Sequence, residues 1–485
     1  MSSSESKSNY KWIHVIIAFV LTFGFGYLPA PEPITHMGMQ IMGVFLGMLW
    51  GWCFVGDMIW PSLLGIVALG MTEYTTITGS LTLFFQNTTT QQMLCTMVFF
   101  GYMDKCGLSN SMAKWILARP FINGRPWVLA ITLFVAEAVL ASLVSLIVTI
   151  LVIWQIFQAA CEEMGYKKKD AYPAYVMIGT LLLGSFGSGL LYFKGAGLLL
   201  SGLVRQGSGL SLSMVQYIMT ADVLILGFIV LYILLGVIWV RPDTSKFSEK
   251  CTYFESLRNE GNIFKPEQKP QIISLLAFIV SLFVIGLCPK TVPFYAQLQN
   301  IGIQGAAIIV VMIMVIVQTK EGTPELNFKE AFFKGVNWDM LLLLGASFPV
   351  ADAIKHNDAG LVAFASQTLT PMLQGLGFIP FLIVVSLAMV IVSQFAHNLI
   401  LQMVFIPLTA PIVMAAGYSP LVSSVVIFYA CNLAWFTPGA SMMGAMFFGS
   451  DWIDNKDIYK WLLPYAVVCL VFLIGWMMFA NAMFF

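Results

Sequence analysis

Polar side chains interrupt several segments of this sequence that are otherwise built from Leu, Ile, Val, Met and Phe. His397 and Asn398 lie within IVSQFAHNLILQMVFIP, Ser145 and Thr149 lie within ASLVSLIVTIL, and Lys194 lies within GLLYFKGAGLLL. Polar residues at membrane depth usually face the interior of a helix bundle and mark a pathway or a binding site. A lysine near the centre of a spanning helix costs about 2.5–3.5 kcal/mol, so it should have a partner or a role. The glycines around Lys194 favour an unwound helix, which would place its ammonium group in a cavity as an anchor for an anion.

Simpler roles are open for the same residues. A Ser or Thr in a helix often donates to a carbonyl oxygen one turn back, and a Lys near a helix end can extend to the membrane interface. Glu137 and Asp352, also in apolar segments, are candidates for structural ion pairs or for proton carriers. Histidine titrates near neutral pH, so proton linkage through His397 is a further alternative.

The composition is that of an integral membrane protein. Of the 485 residues, 59% are hydrophobic and only 10% are charged, whereas soluble domains are about 45–50% apolar and about 25% charged. The 24 basic residues balance the 24 acidic ones, so no basic surface indicates a nucleic-acid partner. The eight cysteines include no Cys-x-x-Cys pair, and we interpret them as reduced packing residues.

No familiar enzymatic motif is present. The sequence contains neither a His-Glu-x-x-His metal motif nor a Gly-x-x-x-x-Gly-Lys-Ser/Thr phosphate loop. His397 has no carboxylate or nucleophile at a predictable spacing. We therefore expect neither an enzyme nor an ATP-driven pump, and neither a bound metal nor another cofactor.

Stretches of about 20 apolar residues predict spanning helices, because the hydrocarbon core is about 30 Å thick and each helical residue rises about 1.5 Å. The sequence predicts eleven spans, near residues 12–29, 37–55, 58–72, 91–106, 173–204, 217–240, 270–288, 300–318, 336–355, 420–448 and 461–484. Lys and Arg concentrate in the N-terminus and in the loops near 118–126, 161–172, 241–269 and 319–335. Because basic loops lie on the cytoplasmic side, we predict a cell-membrane protein with a cytoplasmic N-terminus and an external C-terminus.

Two further apolar stretches, near 127–160 and 376–416, are predicted to be re-entrant hairpins. Basic loops flank the first, so it should enter from the cytoplasm, whereas the second has no Lys or Arg on either flank and should enter from outside. One long tilted helix or an ordinary pair of spans is the alternative for each. Irregular backbone at membrane depth is tolerated where protein or a water-filled cavity satisfies it. Two hairpin tips therefore predict one enclosed site near the midplane.

The two halves of the chain share a pattern. Adding about 253 to a first-half number carries Gly107 onto Gly360 and Ser145 onto Asn398. The predicted spans run in opposite directions in the two halves, so the repeat is inverted. Inverted repeats with interrupted helices are typical of secondary transporters, which expose a central site alternately to the two sides. The predicted organisation is an N-terminal segment with the first span at 1–36, a first repeat at 37–240, a cytoplasmic linker at 241–269 and a second repeat at 270–485.

The second half resembles the divalent anion/sodium symporter (DASS) family of the ion-transporter superfamily. In that family two hairpins carry a Ser-Asn-Thr tip, and each is followed by a helix broken at a Gly-Thr-Pro-Pro-Asn-like turn. AHNLILQMVFIPLTAPI keeps Asn398 and Pro407, and LAWFTPGASMMGAMFFG keeps Pro438 and Ala440 with Ser441 in the Thr place. The resemblance covers roughly residues 75–205 and 325–450 and is weaker in the first of these.

The resemblance implies an elevator-type carrier that works as a homodimer and moves di- or tricarboxylates or sulfate, often with sodium. Together with the polar residues above, it predicts substrate contacts from Ser145, Thr149, Lys194, His397, Asn398 and Ser441. It implies a cation site at Ser393, Ala396, Asn398 and Ala440. The first tip departs from the family because Val144 and Leu146 lack side-chain oxygens, so the ammonium group of Lys194 is predicted to replace a lost sodium ion.

Together these features predict an all-α multi-pass membrane protein with about eleven transmembrane helices and two re-entrant hairpins in an inverted repeat. The predicted function is secondary active transport of small organic anions, di- or tricarboxylates in particular, coupled to sodium or protons or operating as an exchange. The alternative is a cation/proton antiporter of the same superfamily, with Glu137 or Asp352 as the essential carboxylate. The expected partners are the anion, membrane lipid and a second copy of the chain.

Overall fold

Helices make up this computed structural model, which describes residues 2–55, 57–122, 124–143, 146–247, 263–288, 291–318 and 322–484. Within these ranges there is no β-strand, and an isolated bridge joins Gln318 to Pro324. The predicted all-α fold is therefore confirmed.

Most of the described helices follow one another with short connections. Those of the first half are α1 (Ser2–Gly24), α2 (His36–Val55), α3 (Ile59–Leu69), α4 (Ile77–Gln86), α5 (Thr88–Lys105), α6 (Leu108–Leu117), α7 (Pro126–Leu143), α8 (Leu146–Glu163), α9 (Ala171–Gly187), α10 (Gly195–Ser208) and α11 (Met214–Val240). Those of the second half are α12 (Lys269–Leu287), α13 (Tyr295–Ile316), α14 (Phe328–Gly335), α15 (Trp338–Lys355), α16 (Leu361–Leu376), α17 (Phe378–Val392), α18 (Asn398–Ala415), α19 (Pro420–Cys431), α20 (Met442–Gly449) and α21 (Asn455–Phe484).

Many of these helices have the length and composition of membrane spans. Among the described residues, α2, α7, α8, α11, α13, α18 and α21 are each long and apolar enough to cross a bilayer. Large apolar side chains are exposed on such helices, for example Val230 on α11 at 54% and Val471 on α21 at 69%. Exposed apolar surfaces of this kind are typical of helices that contact lipid. The multi-pass membrane character is confirmed, whereas the number of eleven spans stays a prediction.

Contacts between residues divide the chain into two compact units. The first comprises the chain up to Leu94, Leu200–Ser211 and Asn337–Leu433, and the second comprises Cys95–Leu199, Leu212–Val336 and Ala434–Phe485. Each unit contains parts of both predicted repeats. A sequence repeat and a compact unit are therefore different divisions of this chain. The predicted repeat boundaries therefore stay predictions.

Small residues allow close helix packing inside each unit. In the first unit, a methyl group added to Gly47 of α2 would lie 1.8 Å from the hydroxyl oxygen of Thr22 on α1. In the second unit, a methyl group added to Gly187 of α9 would lie 2.3 Å from the Cα atom of Ala138 on α7. Such contacts hold helices together where lipid removes the hydrophobic driving force between them.

Two pairs of corresponding helices in the two halves have equal lengths. Helices α5 and α15 both have 18 residues, and so do α8 and α18. Gly107 before α6 and Gly360 before α16 both adopt the left-handed conformation, with φ of 68° and 72°. Glycine is favoured at both positions because it has no Cβ atom. The opposite orientation of the halves across a membrane stays a prediction.

Four of the predicted apolar stretches are pairs of helices. The stretch at 173–204 consists of α9 and α10 separated by residues 188–194, and the stretch at 420–448 consists of α19 and α20 separated by residues 432–441. The two predicted hairpins are the pairs α7–α8 and α17–α18. Their depth in the membrane stays a prediction. Of the predicted linker at 241–269, residues 248–262 lie outside the described residues.

Candidate functional site

The second hairpin presents the N-terminus of α18 at its tip. Residues 393–396 continue beyond α17 as a turn in which the Ala396 N–H donates to the Val392 carbonyl oxygen at 3.0 Å. His397 then becomes extended, with φ −60° and ψ 124°, and its exposed ring accepts the Leu399 N–H at 3.3 Å through Nδ1. The N–H groups and the dipole at such a terminus favour a bound anion.

Three side-chain amides connect the start of α18 with the end of α19. The Oδ1 atom of Asn432 accepts from Asn398 Nδ2 at 3.1 Å and from Gln402 Nε2 at 2.9 Å. An atom that accepts from two N–H donors must be the amide oxygen of Asn432. The Nδ2 group of Asn432 therefore points away from Asn398 and Gln402. Within the described part of the chain that Nδ2 group makes no hydrogen bond. Two amide N–H donors of the half-buried Asn432 therefore remain for a ligand.

Gln394 joins the hairpin tip to the same helix break. Its Nε2 atom donates to the Leu433 carbonyl oxygen at 3.0 Å and to the Val390 carbonyl oxygen at 2.6 Å. The hydroxyl of Ser393, which is fully buried, donates to the same Val390 oxygen at 2.9 Å. The Ser393 side chain thus has the local role of a helix-end hydroxyl. No backbone N–H within the described ranges donates to the carbonyl oxygens of Ser393 or Ala396, so these oxygens are the atoms that suit a cation.

The break between α19 and α20 ends at Ser441, in the second unit. The Ser441 hydroxyl caps α20 by accepting the Gly444 N–H at 3.3 Å, and it donates to the Ala434 carbonyl oxygen. Ala440 is buried, and its N–H donates to the Thr437 carbonyl oxygen at 3.2 Å. Predicted cation ligands Ser393, Ala396 and Asn398 lie in the first unit and Ala440 lies in the second, so their joint site stays a prediction.

The first hairpin contains a buried carboxyl–hydroxyl pair. The Thr149 hydroxyl on α8 donates to Glu137 Oε1 on α7 at 2.7 Å, and both residues have 0% exposure. Thr149 is therefore engaged by a side chain of its own hairpin, and its contact with substrate stays a prediction. The tip residue Ser145 and its neighbour Val144 lie outside the described residues.

Lys194 lies at the end of the break between α9 and α10, as the glycines around it predict. The Tyr217 hydroxyl holds this break by donating to the Gly189 carbonyl oxygen at 2.5 Å. The half-buried Lys194 places its Nζ atom 4.1 Å from the centroid of the Phe100 ring. A cation over a ring face gains about 0.5–2 kcal/mol, more when it is desolvated. The ammonium group is thus held inside the unit rather than extended from a helix end.

The second candidate carboxylate, Asp352, is bonded to its neighbours. Its Oδ1 atom accepts from Gln206 Nε2 at 3.2 Å and lies 3.5 Å from Lys355 Nζ, one turn further along α15. Lys355 also donates to the Gln206 carbonyl oxygen. Asp352 is therefore part of a structural ion pair, one of the two roles predicted for it.

Within each unit the predicted residues come together only in part. His397, Asn398, Ser393 and Ala396 share the second hairpin tip, whereas Thr149 and Lys194 occupy separate positions in the second unit. Asn432 and Gln402 complete the amide cluster and are absent from the predicted ligands. Their signal in the sequence is weak, a single amide at the end of an apolar helix and another one turn after Asn398. Among the described residues, no group of three or more His, Cys, Asp or Glu side chains could hold a metal ion.

Comparisons with known proteins match this chain to membrane transporters. A family model described as a citrate transporter matches residues 45–356, well over half of the chain. The Na(+)/dicarboxylate cotransporter 3 of Rattus norvegicus is 23% identical over 269 residues, which cover 47% of this chain and 43% of that protein. An uncharacterized transporter of Caenorhabditis elegans is 26% identical over 121 residues, which cover 25% of this chain and 21% of that protein. The matched regions span less than half the length of these curated relatives.

A solved structure shares the fold. The YdaH transporter of Alcanivorax borkumensis, whose crystal structure was described as revealing an unusual topology, is 15% identical to this chain with a TM-score of 0.53. The match covers 83% of this chain and 86% of that chain. At this identity it shows that the arrangement of helices is similar.

Proposed function

The chain belongs to the citrate transporter family, and from this premise we propose that it carries di- or tricarboxylates across a cell membrane as a secondary active transporter. The resemblance to the DASS family is confirmed by the same matches, and the chain is a divergent member. It is a membrane transporter and not an enzyme. Its own substrate, coupling ion and assembly are the subject of the proposal.

The arrangement of Asn432 supports a carboxylate substrate most strongly. Its oxygen is occupied by Asn398 and Gln402, so the group that remains for a ligand is a pair of N–H donors. The N-terminus of α18 adds a favourable dipole beside Asn398. Amide N–H donors suit a substrate that carries a negative charge. We propose that His397 and Asn398 at the second hairpin, together with Asn432 after α19, contact the substrate in the first unit. The substrate contacts predicted for Lys194, Ser145, Thr149 and Ser441 rest on the sequence alone.

Sodium is the proposed coupling ion at the second hairpin. The carbonyl oxygens of Ser393 and Ala396 follow a helix end, where the last carbonyl groups lack partners within the helix. Oxygen ligands of this kind suit a small hard cation. Asn398 would add a ligand from the same unit, and Ala440 is a ligand on the ground of the resemblance alone. The Na(+)/dicarboxylate cotransporter 3 of Rattus norvegicus, which matches 47% of this chain, is named for sodium coupling and supports this proposal.

Elevator-type movement of a homodimer is the proposed mechanism. It rests on the two hairpins α7–α8 and α17–α18 and on the two broken helices α9–α10 and α19–α20. Half-helices with polar breaks form substrate and ion sites in transporters with alternating access. A cytoplasmic N-terminus and an external C-terminus follow from the basic loops.

The alternative function is cation/proton antiport. It needs an essential carboxylate inside the membrane, and Glu137 has the burial that this role requires, whereas Asp352 is bonded to Lys355 and Gln206. A pH jump applied to vesicles without any organic anion separates the two functions. Proton flux driven by a cation alone would favour antiport over carboxylate transport.

Uptake by proteoliposomes tests the proposed function. Purified protein is reconstituted, and uptake of radiolabelled citrate, succinate and sulfate is measured with and without an inward sodium gradient. We expect saturable uptake of at least one of the two carboxylates that unlabelled carboxylate competes away. Absence of carboxylate uptake under sodium, proton and counterflow conditions would refute the proposal, and uptake of sulfate alone would change the substrate class.

A further inference from the structure

Glu137 is a buried carboxyl group that the proposed substrate and sodium sites do not use. It lies on α7, two turns before the tip of the first hairpin, with 0% exposure. Its Oε1 atom accepts the Thr149 hydroxyl at 2.7 Å. Its Oε2 atom is buried and has no hydrogen-bond partner among the described residues. One oxygen of the carboxyl group is thus fixed by the hairpin and the other is unused.

The surroundings of this carboxyl group are small and apolar. A methyl group added to Gly184 of α9 would lie 2.6 Å from Glu137 Cγ, 3.3 Å from Oε1 and 2.8 Å from Leu146 Cδ1. The α9 backbone at Gly184 and the Leu146 side chain therefore lie next to the Glu137 side chain. A metal ion would need several oxygen ligands around it, and the described residues supply one hydroxyl beside the carboxyl group. One carboxyl–hydroxyl pair suits a bound proton better than a coordinated metal ion.

Among the described residues, the elements packed against α7 supply no counter-ion bonded to Glu137. Helix α7 packs against α6, α8, α9, α11 and the turn at Pro120–Ile122. The ionisable groups on these elements are Lys114 on α6, Cys161, Glu162 and Glu163 on α8, Tyr172 and Tyr175 on α9, and Tyr217, Asp222 and Tyr232 on α11. The ionisable groups that flank them are Cys106, Arg119, Arg125, Asp170 and Arg241. None of these is bonded to the Glu137 carboxyl group, whose polar contact is the Thr149 hydroxyl.

The positions of these groups explain their separation from Glu137. Cys161 lies twelve residues beyond Thr149 on α8, which is about 18 Å along a helix. The Tyr175 and Tyr232 hydroxyls each donate to the other residue's backbone carbonyl oxygen, at 3.0 and 2.9 Å. Arg119 lies over the Trp115 ring at 3.9 Å. An isolated carboxylate in such a place is costly unless a proton neutralises it.

We propose that Glu137 carries a proton that is coupled to transport at the first hairpin. The inference rests on the proposed transport function and names its second coupling ion. A proton from water binds the carboxylate oxygen Oε2 when the hairpin opens to one side, and the neutral acid is carried while the site is closed. The proton returns to water when the site opens to the other side. Thr149 is the positioning residue, because its hydroxyl fixes the other oxygen of the carboxyl group.

The main test separates proton coupling from substrate exchange. Glu137→Gln is a neutral isostere of the protonated acid, because its amide oxygen can still accept from Thr149. In proteoliposomes loaded with a pH-sensitive dye, we expect this variant to retain counterflow exchange of citrate or succinate within about threefold. It should lose accumulation driven by an inward proton gradient and the internal acidification that accompanies it. The matched control Glu330→Gln, an exposed carboxyl group paired with Lys334 one turn along α14, should keep both.

Infrared spectroscopy supplies a measurement that does not need transport. At neutral pH the purified wild-type protein should show the carbonyl stretching band of a protonated carboxyl group, and this band should disappear in Glu137→Gln but persist in Glu330→Gln. Citrate or a rise in pH should change the band. A band that is absent from wild type, or that ignores both pH and citrate, would overturn the inference even if carboxylate transport is found.

Further outcomes are equally decisive. If Glu137→Gln does not fold, Thr149→Val should shift the pH profile of uptake to higher pH, since the carboxylate form loses a hydrogen bond, and an unmoved profile would overturn the inference. Proton-driven accumulation that survives in Glu137→Gln but is lost in Asp352→Asn would assign the proton to Asp352 instead. Failure of wild type to move any carboxylate, with the infrared band present, would refute the proposed function alone.

Discussion

The close approach of α7 and α9 makes a sharp prediction for Gly187. A methyl group at this position would lie 2.3 Å from the Cα atom, 2.4 Å from the Cβ atom and 2.6 Å from the carbonyl oxygen of Ala138. Ordinary contacts of such atoms are about 3.5–4.0 Å, so α9 must move from α7 by more than about 1 Å. Overpacking of this kind costs about 1–3 kcal/mol, and more where backbone must shift.

Gly475→Ala is the matched control for Gly187→Ala. Gly475 lies inside α21, and an added methyl group would meet no atom within 4 Å. Alanine is favoured over glycine inside a helix by about 0.5–1 kcal/mol. The two variants make the same chemical change, so the free energies of unfolding should differ by at least the overpacking cost of about 1–3 kcal/mol.

The assay is the apparent melting temperature of the purified variants in detergent, followed by substrate uptake at a temperature below both transitions. We expect Gly475→Ala to melt at or above wild type with unchanged uptake. Gly187→Ala should melt lower and lose uptake, because α7 carries the first hairpin and α9 ends at the break before Lys194. Equal melting of Gly187→Ala and Gly475→Ala would refute the packing of α7 on α9.

Two further predictions concern polar groups in the candidate site. Lys194→Gln should weaken binding of succinate or citrate about 10–100-fold, since a hydrogen bond to a charged group contributes about 1.5–3 kcal/mol. The exposed control Lys334→Gln should leave the affinity unchanged. Equal affinities of the two variants in a binding assay would contradict a contact of Lys194 with substrate. Gln402→Leu should lower the free energy of unfolding by about 1–3 kcal/mol, because the buried Phe428 carbonyl oxygen and the Asn432 side-chain oxygen each lose a donor. A variant with the melting temperature of wild type would contradict the amide cluster.

The sequence predicts the membrane class and most helices because composition and length carry that information. Runs such as Met214–Val240 have no other stable solution than a buried or spanning helix. The break before Lys194 is predictable from its glycines. The breaks and hairpins are predicted where polar residues or glycines interrupt apolar runs. The same interruptions predict the candidate site residues.

The parts that the sequence does not predict depend on packing between distant segments. Asn432 becomes a candidate ligand only when its oxygen is seen to be occupied by Asn398 and Gln402, two residues of another helix. Which of Glu137 and Asp352 is the better candidate proton carrier also depends on their neighbours. Asp352 is bonded to Lys355 and Gln206, whereas Glu137 accepts from the Thr149 hydroxyl. Spacing along the chain does not encode these partners.

The most direct test of a carboxylate site at the second hairpin compares wild type with Asn432→Asp. The aspartate can still accept from Asn398 and Gln402, but it replaces the two amide N–H donors with a negative oxygen. Citrate or succinate should raise the melting temperature of wild type, since a ligand at 100 times its Kd stabilises by about 2.7 kcal/mol. We expect Asn432→Asp to keep a ligand-free melting temperature close to that of wild type and to lose this stabilisation. Equal stabilisation of both proteins by either carboxylate would contradict a carboxylate site at Asn432.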